Sequence, residues 1–189
     1  MNIDLTGKCA LVTGGGSGIG AATCEALARC GASVVVADYN LEAACAVAER
    51  IAAIEGRAHA VKADVSQAED MQAVVRLTCE MFGGLHLAVN NAGVAASYAM
   101  VEDVSWEDWQ RNLGVNVTGV FLGLKYEVPA ILSSGGGAIV NVSSILGGVG
   151  MVGRSPYAAA KHAVVGLTKS VALEHFKALP APAWAEKPR

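Results

Sequence analysis

Short runs of apolar residues alternate along the chain with longer stretches in which apolar positions recur every three to four residues. The runs at 8–13, 33–38, 58–63, 85–90 and 138–143 are of the short kind, and the first two are rich in β-branched side chains. The stretches at about 18–30, 41–55, 67–82, 105–132 and 155–176 follow the helical period. Ser66-x-x-Glu69 reads as a capping box, and Ser105-x-x-Asp108 as a similar helix start. The short runs are apolar almost without alternation, the pattern of strands covered on both faces. Five strands alternating with five helices predict an α/β fold: a parallel, doubly wound sheet with helices on both faces. Right-handed crossovers then bring the loops at the strands' C-terminal ends to one edge, where such folds bind ligands.

Composition narrows the picture. The chain has 189 residues, 53% of them hydrophobic and 16% charged, with a formal charge of −3. That is a length for one domain with a real core, and too apolar a chain for disorder. No basic excess points to nucleic acid. The 22 glycines have no three-residue period, which excludes collagen. The N-terminus lacks an export signal, and no stretch approaches the roughly 18 apolar residues of a membrane span. Cysteines 9, 24, 30, 45 and 79 are odd in number and form no C-x-x-C pair, so free buried thiols in a reducing cytoplasm are expected. The four histidines show no ligand spacing with them, and no metal is expected.

Chemistry enters at the first βα turn. Thr13-Gly14-Gly15-Gly16-Ser17-Gly18-Ile19-Gly20 follows the first strand and opens the first helix. Glycines there let the chain turn sharply and bring backbone N–H groups against a pyrophosphate, with the helix N-terminus adding favourable charge. The spacing of Gly14, Gly18 and Gly20 is G-x-x-x-G-x-G. Asp38 ends the second strand, where a carboxylate can accept hydrogen bonds from adenosine ribose hydroxyls and repel a 2′-phosphate. No Arg or Lys stands in the glycine loop or beside Asp38, where Tyr39 and Asn40 follow. NAD is therefore expected over NADP. A tight turn and a helix cap are the plainer alternatives for the two features.

The glycine loop, Asn90-Asn91-Ala92-Gly93, Asn116, Ser144 and Tyr157-x-x-x-Lys161, in that order over roughly residues 5–176, together resemble the short-chain dehydrogenase/reductase family. The residues agree with that chemistry on their own terms. Tyr157 and Lys161 are four apart and share a helix face. A phenol titrates near 10, so making it a base at neutral pH needs on the order of 4 kcal/mol of phenolate stabilisation, for which an adjacent ammonium is a natural source.

The resemblance implies a Rossmann-like fold and the roles of the site residues. Tyr157 would take the alcohol proton or give it to the carbonyl. Ser144, thirteen residues before it, would polarise the substrate oxygen, in preference to Ser143. Lys161 would support Tyr157 and hold the nicotinamide ribose, and Asn116 would hold a water linking Lys161 to solvent. Gly14, Ser17, Gly18, Ile19, Gly20, Asp38, Asp64, Val65, Asn90, Ala92 and Gly93 would line the cofactor's path, together with Tyr157 and Lys161.

The walls after strands four and five carry Tyr98, Met100, Ile145, Leu146, Met151 and Val152 without clustered charge, which suits a small apolar or alicyclic secondary alcohol or ketone. A sugar dehydrogenase or a 3-oxoacyl reductase is the alternative among enzymes. His162, Trp106 and Trp109 are read as structural. Apolar faces with small residues on helices 105–132 and 155–176 suggest, by the same resemblance, a homodimer or homotetramer. Residues 1–176 read as the NAD(P)-binding catalytic domain. Residues 177–189, with three prolines, read as a tail unlike the family, with the family's substrate lid and last two strands lacking. On that reading a non-catalytic nucleotide-binding or dimer-partner remnant is the alternative.

Overall fold

Val34, Val35 and Val36 stand in a row, and successive side chains of a strand point to opposite faces, so all three can be buried only if both faces are covered. The computed structural model, which describes residues 3–175, covers both. Strands β1 (Cys9–Thr13), β2 (Ser33–Asp38), β3 (Arg57–Lys62), β4 (Leu87–Asn90) and β5 (Ala138–Asn141) form one parallel sheet in the order β3-β2-β1-β4-β5. They alternate with α1 (Gly18–Arg29), α2 (Leu41–Ala52), α3 (Ala68–Phe82), α4 (Trp106–Leu113), α5 (Gly119–Ser133) and α6 (Ser155–Glu174).

On one face Ala10, Val12, Val34 and Val36 pack against Cys24 and Ala28 of α1 and Ala44, Val47 and Ile51 of α2. On the other, Leu11, Val35, Ala37 and Ala88 meet Met71, Val74 and Val75 of α3 and Leu122 and Ile131 of α5. Val164 of α6 joins Val120 and Leu124 of α5. Each fully buried Val, Leu, Ile or Met side chain contributes about 1.5–3 kcal/mol. The sheet is doubly wound, with helices on both faces.

Four local expectations change. The strands are fully buried only in the middle of the sheet; β3 and β5 lie at the edges of the described sheet and are partly exposed, Val140 by 56%. The long helix at 105–132 is not one α-helix, because a π-turn at Gly114–Thr118 joins α4 to α5. That continuous run, Trp106–Ser133, does reach the length and apolarity of a membrane span, yet it carries buried Asn112, Asn116 and Glu127 and packs against α3 and α6. Ser105 caps α4, accepting from Asp108 N at 3.1 Å, but Ser66 caps nothing. Its N–H and hydroxyl both donate to Asp64 Oδ1, at 2.9 and 2.7 Å, and α3 starts one residue later than a Ser66 cap requires.

All five cysteines are free, as expected, but not all are buried: Cys45 is exposed on α2. Burial pushes the Cys24 thiol up to about 12. The proline-containing tail at 177–189 lies outside the described residues.

Candidate active site

Strand order reverses between β1 and β4, so the chain leaves these neighbours in opposite directions and a cleft opens at their C-terminal ends. The two loops approach closely there. A Cβ on Gly14 would lie 2.8 Å from Ala92 Cα, and one on Gly20 only 2.0 Å from Gly14 O. Gly14 and Gly18 also have φ of +61° and +50°. Turn and helix therefore need glycine on steric grounds. Ser17 stands at the N-cap of α1 without a side-chain cap bond, so the first-turn N–H groups stay available for an anion.

The cleft holds about 1010 Å³ and is lined by Gly14, Ser17, Gly18, Ile19, Asp38, Asp64, Val65, Ala92 and Gly93 among others. Asp38 Oδ2 accepts from Gly16 N and Oδ1 from Asn40 N, each at 2.9 Å, which ties the end of β2 to the glycine loop. One expectation needs amending here. Lys62 of β3 pairs in register with Asp38 and its Nζ lies 5.5 Å from the Tyr39 ring centroid, so a cation does stand near the carboxylate in space.

Lys161 is 4% exposed, and its Nζ donates to Val142 O at 2.8 Å. Among the described residues it forms no ion pair. Burial lowers its pKa. The Tyr157 ring centroid lies 5.6 Å from Nζ. A Cβ on Gly93 would lie 3.7 Å from Lys161 Nζ and 2.8 Å from Asn116 Oδ1, so β4's loop, the π-turn and α6 converge here.

Ser144 lies three residues past β5, at the N-cap of a single 3-10 turn (Ile145–Gly147), and its Oγ accepts from Leu146 N at 3.2 Å. Ser143 is committed elsewhere, donating to Lys161 O at 3.0 Å. The Asn116 side chain is likewise engaged: Oδ1 accepts from Val94 N at 3.2 Å, while Nδ2 donates to Val94 O at 2.8 Å and Asn112 Oδ1 at 3.2 Å. Asn90 faces the core rather than the cleft. Its Nδ2 donates to Glu127 Oε2 at 2.8 Å and Asn141 Oδ1 at 2.9 Å.

The short chain dehydrogenase family matches residues 8–178. The chain belongs to this family. It is 51% identical over 175 residues to a cyclohexanol dehydrogenase of Acinetobacter sp. (strain SE19), spanning 93% of this chain and 70% of that protein. It is 45% identical to a 3-alpha-(or 20-beta)-hydroxysteroid dehydrogenase of Mycobacterium tuberculosis (strain ATCC 25618 / H37Rv), spanning 92% of this chain and 65% of that protein. The fold superposes with a TM-score of 0.87 on a short chain dehydrogenase/reductase from Burkholderia phymatum in complex with NAD, at 35% identity over 92% of this chain and 61% of that one.

This dehydrogenase is thus an alcohol/ketone oxidoreductase of the family, with a small-molecule substrate and an NAD(P) cofactor. Sequence reasoning missed Asn91 as a site residue. Its Nδ2 donates to Thr13 O and Gly14 O at 3.1 and 3.0 Å, and its N–H donates to Thr13 Oγ1 at 3.1 Å, stapling the two loops across the cleft. The doubled asparagine after β4 was the available signal. Gln110 and Arg111, from a helix without a motif, and Val115, beside Asn116, also line the cleft.

Proposed function

We propose that this dehydrogenase uses NAD to oxidise a small, apolar or alicyclic secondary alcohol, or reduces the matching ketone, with Tyr157 as the acid/base. The observation that carries the reading is Lys161. An ammonium buried without a carboxylate is costly, and here it is held by a main-chain carbonyl beside a tyrosine and next to Gly93, which lines the cleft. Such a group stabilises the phenolate of Tyr157 and so lets it accept the hydroxyl proton. Ser144 donates to the substrate oxygen, the proton of its hydroxyl being unclaimed by Leu146 N, which is itself a donor. The Asn116 side chain orients the Val94 main chain, and on this reading the π-turn around it places a water beside Lys161.

Gly14, Ser17, Gly18, Ile19 and Gly20 hold the pyrophosphate. Asp38 accepts from the adenosine ribose, Asp64 and Val65 flank the adenine, and Ala92, Gly93, Tyr157 and Lys161 line the nicotinamide half. Asn90 supports that half from the core side. When bound, the nicotinamide ring supplies the hydride acceptor or donor. The cyclohexanol-oxidising relative supports an alicyclic substrate. Titration with NAD and NADP, followed by absorbance at 340 nm over a panel of secondary alcohols, tests the reading. NAD-dependent turnover of cyclic alcohols is expected. Tight NAD binding without turnover on any member would leave a binding module instead.

A further inference from the structure

The segment between β4 and α4 is held at Val94 and from Ala96 to Ala99. Asn116 grips both main-chain groups of Val94, and Ser97 N donates to Asp108 Oδ2 at 2.9 Å. The segment leading into α6 holds its other side. Arg154 Nη1 donates to Ala96 O, and Ala99 N donates to Gly153 O at 3.2 Å. The Arg154 guanidinium lies over the Tyr98 ring, 5.7 Å from the centroid. That ring fills the space a side chain at 153 would need, since a Cβ there would sit 2.7 Å from two ring carbons. Gly153 also has φ +70°, so the position is closed to other residues twice over.

These contacts join two segments that flank the reacting centre. One continues from Gly93, beside Lys161 and Asn116; the other ends three residues before Tyr157. The apolar side chains they present, Met100, Val101, Met151 and Val152, are 53–72% exposed; Tyr98 is as exposed, but unlike them it is held by Arg154 on its face and Gly153 beside it. Arg154 is half-buried and, among the described residues, meets no carboxylate. A planar guanidinium with its face on a ring and an edge on a carbonyl is oriented in a way that a lysine ammonium does not reproduce.

We propose that Arg154 and Tyr98 form a clasp that fixes the separation of the two substrate walls and thereby the size of the alcohol or ketone admitted. This rests on the oxidoreductase reading above. Arg154 is then a positioning residue: it acts through Ala96 and Tyr98, and its loss widens the site without removing the chemistry.

The test compares wild type with Arg154→Ala, Arg154→Lys, Tyr98→Ala and Tyr98→Phe by amide hydrogen exchange and by kcat/KM for cyclohexanol against cyclododecanol. In Arg154→Ala and Tyr98→Ala, exchange across 95–100 rises about tenfold while the glycine loop is unchanged. The ratio of large-ring to small-ring kcat/KM rises about fivefold, with NAD affinity within about twofold of wild type. Tyr98→Phe keeps the ring face under Arg154 and so keeps the wild-type exchange across 95–100, whereas Arg154→Lys exchanges like the alanine variant. Unchanged exchange in Arg154→Ala, with normal turnover, overturns the clasp alone. Faster exchange with an unchanged size ratio overturns its role in selectivity. Wild-type protein that turns over neither alcohol removes the alicyclic-substrate reading, and the size-limiting role with it.

Discussion

Glu127 lies fully buried on α5, its Oε2 accepting from Asn90 Nδ2 and its Oε1 without a hydrogen-bond partner among the described residues. Burial pushes its carboxyl from the ordinary 4.5 up to about 7, partly opposed by the Asn90 bond. A carboxyl raised in the fold holds its proton where the unfolded chain has lost it, so stability is full below about 4.5 and falls as pH rises towards 7. The loss totals roughly 3 kcal/mol. Glu127→Gln should therefore flatten the pH dependence of urea unfolding between pH 5 and 8, and be the more stable form at pH 8. On the proposed reading Asp38 disfavours a 2′-phosphate at the cleft, with Lys62 its paired neighbour on the next strand. Asp38→Ser should raise NADP affinity about tenfold and lower NAD affinity by a similar factor, read by fluorescence titration.

Packing of α1 against the β1 and β4 loops depends on Gly20, whose Cβ would sit 2.0 Å from Gly14 O. Gly20→Ala should cost about 1–3 kcal/mol in chemical unfolding and weaken NAD binding more than tenfold, because the displaced loop is the phosphate cradle. The elements themselves were legible in the sequence. The middle strands announce themselves through unbroken apolar runs, and the glycine loop through position as well as composition. What sequence left hidden depends on register or on long-range contact. Lys62 comes beside Asp38 only through β2–β3 pairing, and Arg154 reaches Ala96 across 58 positions. The π-turn at Gly114–Thr118 leaves the composition of the run unchanged and only shifts its helical phase, which the broad apolar face of this run masks. The choice of Ser144 over Ser143 rested on family spacing, and the geometry adds a reason: Ser143 is bonded to the Lys161 carbonyl.

At the scale of the molecule, the sheet brings one loop from each half of the chain to a shared edge, and the long helical run and α6 carry exposed apolar side chains on their outer faces. Phe121, Leu132 and Trp106 are 47%, 49% and 64% exposed. Pairing of helices 105–132 and 155–176 between two copies would cover them, so light scattering at micromolar concentration should return a dimer or tetramer, and a monomer would contradict that arrangement. On the proposed mechanism the proton passes through one atom, the Tyr157 hydroxyl oxygen. The most direct measurement is single-turnover NADH formation by wild type and Tyr157→Phe at saturating NAD and cyclohexanol. Removing a general base costs about 10²–10⁴ in rate, so the variant should lose at least a hundredfold while binding NAD within about twofold of wild type. A phenylalanine variant that keeps a tenth or more of the wild-type rate would contradict the account.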